Sequence, residues 1–337
     1  QAGYFVFDYL NRQPWSILIS LHFWLESNSG GEPDMTVTMG TLPQLRTRLA
    51  LPLAALDSQH IFLPRTPGRL KVGIRNNRID VGRVNRIGIS VPACFAPQSI
   101  DICSPFVSVE EPDYPLPDDK RVDALGQYSR KDWPGKTYSE GELVSFLRTE
   151  AARPESSFPP DWSRYGGWMR KHFEPTGFFR PEHDGARWWL VDPDGYAFYS
   201  TGLDCVLPGE PAWVHGIEKL FSWLPDPSGE FGEFVTKAKD TRGYWRFRGQ
   251  MPEDALFVNF GGVNLKRAFG DGWWEQWARL TRRRLVDWRF NTVGNWSERR
   301  FTQWARLPYV WPLNDFPTTE MAIYRDFPDV FSDEYGA

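Results

Sequence analysis

The sequence predicts an all-β sandwich of jelly-roll type followed by a parallel β/α fold, and three observations carry that expectation. Short β-prone runs separated by turn residues fill residues 1–110, a Pro- and Asp-rich connector follows, and beyond Gly177 strand-like runs alternate with helix patterns. Regular short strands with turn signals between them indicate a sandwich or jelly roll. Strands alternating with helical segments indicate a parallel sheet.

In the first region the runs are Trp15–Trp24, Met35–Met39, Arg48–Leu51, Gln59–Leu63, Arg69–Ile74 and Arg86–Val91. Several alternate apolar and polar residues, the period of a strand with one buried face. Asn28-Ser29-Gly30-Gly31 and Arg75-Asn76-Asn77 are among the clusters between them. The connector over 111–135 begins Glu111-Pro112-Asp113-Tyr114-Pro115. Proline removes backbone donors and fixes φ, so this stretch is expected to run extended over the surface. Ser139-Glu140-Gly141-Glu142 is a capping-box pattern leading into Leu143, Val144, Phe146 and Leu147, which predicts a helix of about three turns.

From Gly177 the pattern changes. Gly177–Arg180 and Arg187–Val191 are strand-like, and Asp192-Pro193-Asp194-Gly195 is a turn with Pro at its second position and Gly at its fourth. The run Tyr196–Asp204 follows. A weakly periodic segment rich in Gly, Pro and Trp then extends to about residue 270 and is expected to hold loops and short helices. Trp274, Trp277, Thr281, Leu285 and Trp288 recur at spacings of 3 and 4, which predicts a helix with an aromatic face. Phe290–Ser297, a short helix near Arg299–Arg306 and Tyr309–Leu313 complete a strand, helix, strand, helix, strand rhythm. The expected organisation is a sandwich over 1–110, a linker and helix over 111–160, and β/α units over 161–337.

Composition narrows the function classes. The 39 Lys and Arg stand against 43 Asp and Glu, with no basic stripe to neutralise phosphates, so a nucleic-acid partner is not expected. No stretch of 18 apolar residues appears, so no membrane partner is expected either. Cys94, Cys103 and Cys205 have no metal-type spacing and no adjacent base, and His22, His60, His172, His183 and His215 are scattered. Neither a metal site nor a cofactor is signalled. Gly261-Gly262 lacks the spacing of a phosphate loop, and no Gly-x-Ser-x-Gly elbow occurs. Seventeen Trp, 24 Phe and 12 Tyr, with 29 Gly and 28 Pro, suit proteins that stack flat faces against sugars, although many Trp serve only as core. The chain opens at Gln1 without an initiator Met or a signal-peptide pattern, and it closes at Ala337 one turn beyond Ser332, a residue suited to capping a helix. Both ends are expected of a fragment.

Chemistry in a parallel barrel collects at the C-terminal ends of the strands. Three such ends are legible: Gly202-Leu203-Asp204, Gly294-Asn295-Trp296-Ser297 and Trp311-Pro312-Leu313-Asn314. Asn295 and Asp204 can hydrogen-bond sugar hydroxyls, and Trp296 or Trp311 can stack on a pyranose face. The structural alternatives are a turn cap for Asp204, a helix cap for Asn295 and a core position for Trp311. Glu298, Asp271 and Glu275 are available for acid/base work, but nothing pairs two of them at the separation a glycosidase needs.

Four stretches carry a family resemblance: Leu125–Lys136 (LGQYSRKDWPGK), Thr176–Arg180, Trp188–Gly202 and Phe290–Ser297. Together they resemble the β-agarases of glycoside hydrolase family 50, from about residue 120 onward, with the N-terminal β region where that family carries a carbohydrate-binding-like sandwich. The resemblance implies a retaining hydrolase on a (β/α)8 TIM barrel acting on agarose or a related galactan, with Glu residues after the fourth and seventh strands as acid/base and nucleophile. Only the first three β/α units are counted here, against the eight of about 250 residues that such a barrel needs. The catalytic pair is therefore expected beyond Ala337, and this chain alone is expected to be inactive. Asp204, Asn295, Trp296 and Trp311 are the expected substrate-binding residues. The polysaccharide substrate implies an extracellular or periplasmic setting. Two alternatives stay open: a non-catalytic carbohydrate-binding protein, and a β-galactosidase-like enzyme of the same fold on another galactoside.

Overall fold

The computed structural model describes residues 3–57, 63, 65–70, 72–75, 78–94, 96–241, 252–313, 319, 322–324 and 327–336. They divide into two compact units, one of Gln1–Trp133, Ala212–Val258 and Phe316–Ala337, the other of Pro134–Pro211 and Asn259–Asp315. Most of the regular structure is strand, with few helices.

The first unit begins with eight strands: β1 (Tyr4–Asn11), β2 (Leu18–Leu25), β3 (Met35–Gly40), β4 (Arg46–Pro52), β5 (Val72–Arg75), β6 (Val84–Ser90), β7 (Ile100–Ile102) and β8 (Phe106–Ser108). They form two antiparallel sheets. In one, β1 pairs with β4, β7 and β8; in the other the order is β5-β3-β2-β6. The alternation seen in the sequence sets the faces. Ile19, Leu21 and Phe23 of β2 and Met35, Val37 and Met39 of β3 point into one apolar core, which they share with Phe5, Phe7 and Tyr9 of β1 and Leu49 and Leu51 of β4. Each large side chain so buried contributes roughly 2–3 kcal/mol. The intervening polar residues pair with one another: His22 bonds Thr36 Oγ1 at 3.0 Å and Ser90 Oγ at 2.7 Å, and Ser20 meets Thr38 at 2.8 Å.

Five of the six runs singled out from the sequence fall wholly or partly on these strands, while most of Gln59–Leu63 lies outside the described residues. Sequence reasoning passed over β1, the strand that binds its sheet together. Its signal was present in the alternation of Phe5, Phe7 and Tyr9.

In the second unit Ser139 caps the expected helix, and the reciprocal Glu142 bond goes to the residue before the cap. Ser139 caps α1 (Glu140–Ala151) by accepting the Glu142 N–H, and the Glu142 carboxylate accepts the Tyr138 N–H at 2.8 Å. Strands β9 (Trp168–His172), β10 (Arg180–His183), β11 (Trp188–Val191) and β12 (Tyr196–Phe198) follow in an antiparallel sheet of order β10-β11-β12-β9. The buried Asp192 closes the β11–β12 turn, accepting the Asp194 and Tyr196 N–H groups at 3.0 and 2.9 Å and the Ser163 hydroxyl at 2.5 Å.

The run Tyr196–Asp204 divides between two sheets. Its first half is β12; its second half, β13 (Gly202–Leu203), belongs to a different and parallel ladder. Between them the Thr201 N–H and the Tyr199 carbonyl bond the side chain of Asn291, while the Thr201 carbonyl accepts the N–H groups of Asn291 and Thr292 at the start of β17.

The chain then passes through β14 (Ala212–Trp213), β15 (Val235–Lys237) and β16 (Leu256–Val258), a small antiparallel sheet of the first unit. It returns to the second unit as α2 (Phe260–Phe269), α3 (Trp273–Asp287), β17 (Thr292–Val293) and α4 (Arg299–Trp304). A hairpin, β18 (Ala322–Tyr324) and β19 (Phe327–Pro328), and the single turn α5 (Asp333–Gly336) end the described structure.

The periodic helix expected from its aromatics is α3. Trp274, Trp277 and Leu285 are buried with Phe301 of α4 and Val293 of β17 in a second core. Trp288 departs from the expected buried face: it follows the last helical residue and is 59% exposed.

Candidate functional site

Two of the strand ends expected from the sequence lie on paired strands; before the third, Trp311–Asn314, a single bridge reaches Tyr309, and Asn314 lies outside the described residues. β13 pairs in parallel with β17, matching Gly202 with Thr292 and Leu203 with Val293, and Val293 makes a parallel bridge to Tyr309. Close approach at this row depends on glycine: a Cβ on Gly202 would lie 2.3 Å from the Thr292 carbonyl oxygen. At the opposite end, Asn291 is buried and fully engaged. Its Oδ1 accepts from Thr201 N at 2.9 Å and Thr292 Oγ1 at 3.0 Å, while its Nδ2 donates to the Gly166 and Tyr199 carbonyls at 3.1 and 3.0 Å. One amide thus ties the segment before β9, the β12–β13 link and the start of β17 to one another.

Beyond the C-terminal ends of β13 and β17 the two chains stay laced. Gly294 N–H donates to the Leu203 carbonyl at 2.8 Å, Cys205 N–H to the Asn295 carbonyl at 2.7 Å and Glu298 N–H to the Val206 carbonyl at 3.0 Å. Side chains fill the gaps between these bonds. Asp204 Oδ1 accepts the Asn295 N–H at 2.7 Å, and Ser297 Oγ accepts from Val206 N–H at 3.1 Å while donating to the Gly294 carbonyl at 2.9 Å. Gly294 is required here, because a Cβ would sit 2.2 Å from Asp204 Oδ1. Both chains bend through a left-handed residue, Cys205 at φ 55° and Trp296 at φ 58°. Non-glycine residues seldom adopt that conformation, and it costs on the order of 1 kcal/mol or more unless the surroundings enforce it.

The result is an exposed rim. Trp296 is 58% exposed and has no ring partner among the described residues. Trp311 is 36% exposed, lies at 6.1 Å from the Tyr309 ring and carries the Arg299 guanidinium 4.9 Å from its ring centroid. Glu298 caps α4, accepting the Arg300 N–H at 3.0 Å and also the Phe301 N–H. Of the three available carboxylates, Glu275 is committed to Arg300 at 2.6 Å and Asp271 sits 3.7 Å from Lys266. Sequence reasoning passed over Ser297 and Arg299. Ser297 could have been found from its place after a strand-end Asn-Trp; Arg299, one of two adjacent arginines, carried no distinguishing signal.

An open cavity of about 390 Å3 lies on the helical side of β13, walled by Leu143 and Leu147 of α1, Leu265 of α2, Trp277 and Leu285 of α3, and Trp288. Asp204 reaches it; Asn295, Trp296 and Trp311 do not. Asn264, Thr281 and Arg284 are among its other lining residues, and because three of the four expected binding residues stand outside it, the rim rather than the cavity is the candidate site. Among the described residues no group of three His, Cys, Asp or Glu is arranged to hold a metal ion, and no helix is long and apolar enough to cross a membrane.

No family model matches the chain. It is 29% identical over 212 residues to Beta-agarase B of Vibrio sp. (strain JT0107), a match covering 56% of this chain and 22% of that protein. To Beta-agarase A of the same strain it is 26% identical over 208 residues, covering 56% of this chain and 19% of that protein. The solved structure of PfGH50B matches 99% of this chain with 52% of its own, at a TM-score of 0.58 and 24% identity. An exo-β-agarase structure matches with the same coverage and TM-score at 20% identity, and the agarase AgWH50C covers 99% of this chain and 51% of its own at a TM-score of 0.53 and 20% identity. At those identities the structures show the fold. The chain spans about a fifth of the length of the curated relatives and about half that of the solved structures. In sequence this chain is similar to part of two β-agarases, and its fold is shared with about half of each of the solved agarase structures.

Proposed function

We propose that this chain is the N-terminal part of a retaining glycoside hydrolase acting on agarose or a related galactan. In this reading the two sheets around the first core are a carbohydrate-binding-like β-sandwich over 1–110, followed by a linker and helix over 111–160. Residues 161–337 carry the first three β/α units of a (β/α)8 barrel. The observation that carries the reading is the row of three parallel strand ends, β13, β17 and Tyr309, with Asp204, Asn295, Trp296 and Trp311 at their C-terminal side. That is the side on which barrel enzymes build their sites. The half-exposed Trp296 offers an apolar face of the kind that stacks on a pyranose ring, and the partly buried Asn295 stands beside it with an amide able to pair with hydroxyls.

Hydrolysis itself falls to two carboxyl groups about 5–5.5 Å apart: one protonates the leaving oxygen while the other attacks the anomeric carbon, and water later releases the sugar. Both are proposed to lie beyond Ala337, so the rim residues here bind and orient sugar without cleaving it. The polymeric substrate fits an extracellular or periplasmic setting.

A reducing-end assay on agarose and neoagaro-oligosaccharides tests the reading, comparing this chain with an open reading frame extended by about 400 residues, an allowance for five further β/α units and their loops. Activity in the long form alone is the expected outcome. A folded long form that cleaves neither substrate shifts the reading to another galactan or to a carbohydrate-binding protein, and cleavage by the present chain overturns the placement of the catalytic pair.

A further inference from the structure

We propose that Asp204 is a positioning residue, whose carboxylate latches the Gly294–Ser297 elbow so that Trp296 is held out as a sugar platform. The inference rests on the proposed galactan-binding function and changes the part expected of Asp204, which the sequence alone casts as a direct contact for sugar hydroxyls.

The geometry carries the argument. Asp204 Oδ1 is engaged by the Asn295 N–H at 2.7 Å, so one of the two carboxylate oxygens is spent within the protein. The space it occupies exists because residue 294 is glycine, whose Cβ would otherwise stand 2.2 Å away. Immediately after the bonded amide comes Trp296, a bulky residue in the left-handed region with its ring unpartnered among the described residues. Such a conformation persists only where neighbours over-determine it. The neighbours here are the backbone bonds of Gly294 and of the Asn295 carbonyl to the β13 side, the Asp204 latch on the Asn295 N–H, and the Ser297 hydroxyl, bonded to both Val206 N–H and the Gly294 carbonyl. Trp311 lacks this freedom, since Arg299 and Tyr309 already pack against it. Without the latch, Asn295 N–H loses its acceptor, the elbow samples ordinary φ values, and the platform pays ordering entropy each time sugar binds.

The test uses the whole chain with Asp204→Ala, Asp204→Asn, Trp296→Ala and the Asp204→Ala/Trp296→Ala pair, read by amide hydrogen exchange and by affinity electrophoresis in agarose. Asp204→Ala is expected to speed exchange at the Asn295 N–H by about tenfold, the loss of one hydrogen bond. Asp204→Asn keeps an acceptor oxygen and restores protection. In agarose, Trp296→Ala weakens binding most, Asp204→Ala weakens it less, and the double variant matches Trp296→Ala, because a latch has nothing to hold once the ring is gone. Additive losses, or weakened binding with Asn295 exchange unchanged, mean that Asp204 touches sugar itself and overturn the proposal. Unchanged binding in Trp296→Ala overturns it too. If the unsubstituted chain is not retarded by agarose at all, the galactan reading fails and the platform with it, while the exchange data still decide whether the latch exists.

Discussion

The two-sheet region around β1–β6 and the strand-end region around β13 and β17 solve the same problem in opposite ways. In the first, strands of four to eight residues are held by a continuous apolar core, and their polar faces pair locally. In the second, two strands of two residues each are held in place by glycine contacts, one buried amide and a lattice of side-chain-to-backbone bonds. Apolar burial is non-directional and tolerates exchange of similar side chains. The strand-end lattice is directional, and each bond needs a particular atom at a particular place. Long, redundantly packed strands suit a scaffold, whereas short strands that end in side-chain-held loops suit a site.

Substitutions that weaken each region in its own currency test that contrast. The largest effect is expected from Phe23→Ala, which empties a fully buried aromatic position between the sheets and should cost about 3–5 kcal/mol. Denaturant unfolding with site-resolved hydrogen exchange checks it; a loss of under about 1 kcal/mol would show that the core repacks freely. Next comes Asn291→Ala. It strands the buried Gly166 carbonyl and the partly buried Thr201 N–H and Tyr199 carbonyl and should cost about 2 kcal/mol, with lost exchange protection centred on β13 and β17. Asn291→Asp keeps Oδ1 but gives up the two Nδ2 donors, so it should rescue only the Thr201 and Thr292 side of the hub.

A smaller effect is expected in acid. The carboxyl of Asp184, at the β10–β11 turn, is held well below the usual carboxylate range, first by the Lys171 ammonium at 2.7 Å and then by the Arg187 and Ala186 N–H groups and the Trp189 indole. A depressed folded pKa means the contribution is complete above the unfolded value of about 4 and is lost as pH falls below it. Tryptophan spectra of the hairpin followed from neutral pH downward should therefore change below about pH 4 in the unsubstituted chain, and Asp184→Asn should flatten that change. An identical acid limb in both would remove Asp184 as its source. The smallest effect belongs to the exposed Arg164–Asp194 pair, where Arg164→Ala should leave stability almost unchanged. A larger loss would mean that Arg164 matters through its packing on Tyr165, 4.8 Å from the guanidinium.

Legibility followed the same division. Strands β2, β3, β4 and β6, the capped helix α1 and the aromatic helix α3 could be read because each repeats a local period or opens with a capping signal. β1 was legible by the same alternation and was passed over. The ends at Gly202–Asp204 and Gly294–Ser297 were legible from a rhythm of elements, and β13 and β17 lie there, although the lattice that shapes them was not legible. Asn291 does not stand out in the sequence, because an amide becomes a hub only when distant backbone groups converge on it. The break between β12 and β13 was hidden for the same reason, since Tyr196–Asp204 has the composition of a single strand.

By itself, then, the sequence determined which segments have an apolar face, where α1 starts, and which aromatic and amide residues stand at strand ends, all of which depend on neighbours close along the chain. Only the tertiary structure decided that β9–β12 form an antiparallel sheet apart from the parallel pair, that Asp204 bonds Asn295 rather than standing free, and that Trp296 rather than Trp311 has the unpartnered ring. The longest-range of these outcomes are the parallel pairing of Gly202 with Thr292, 90 positions apart, and the bond between Asp204 and Asn295, 91 apart. Contacts of that range leave no period in the chain, and a hydrogen bond is decided by tenths of an ångström that no local pattern encodes.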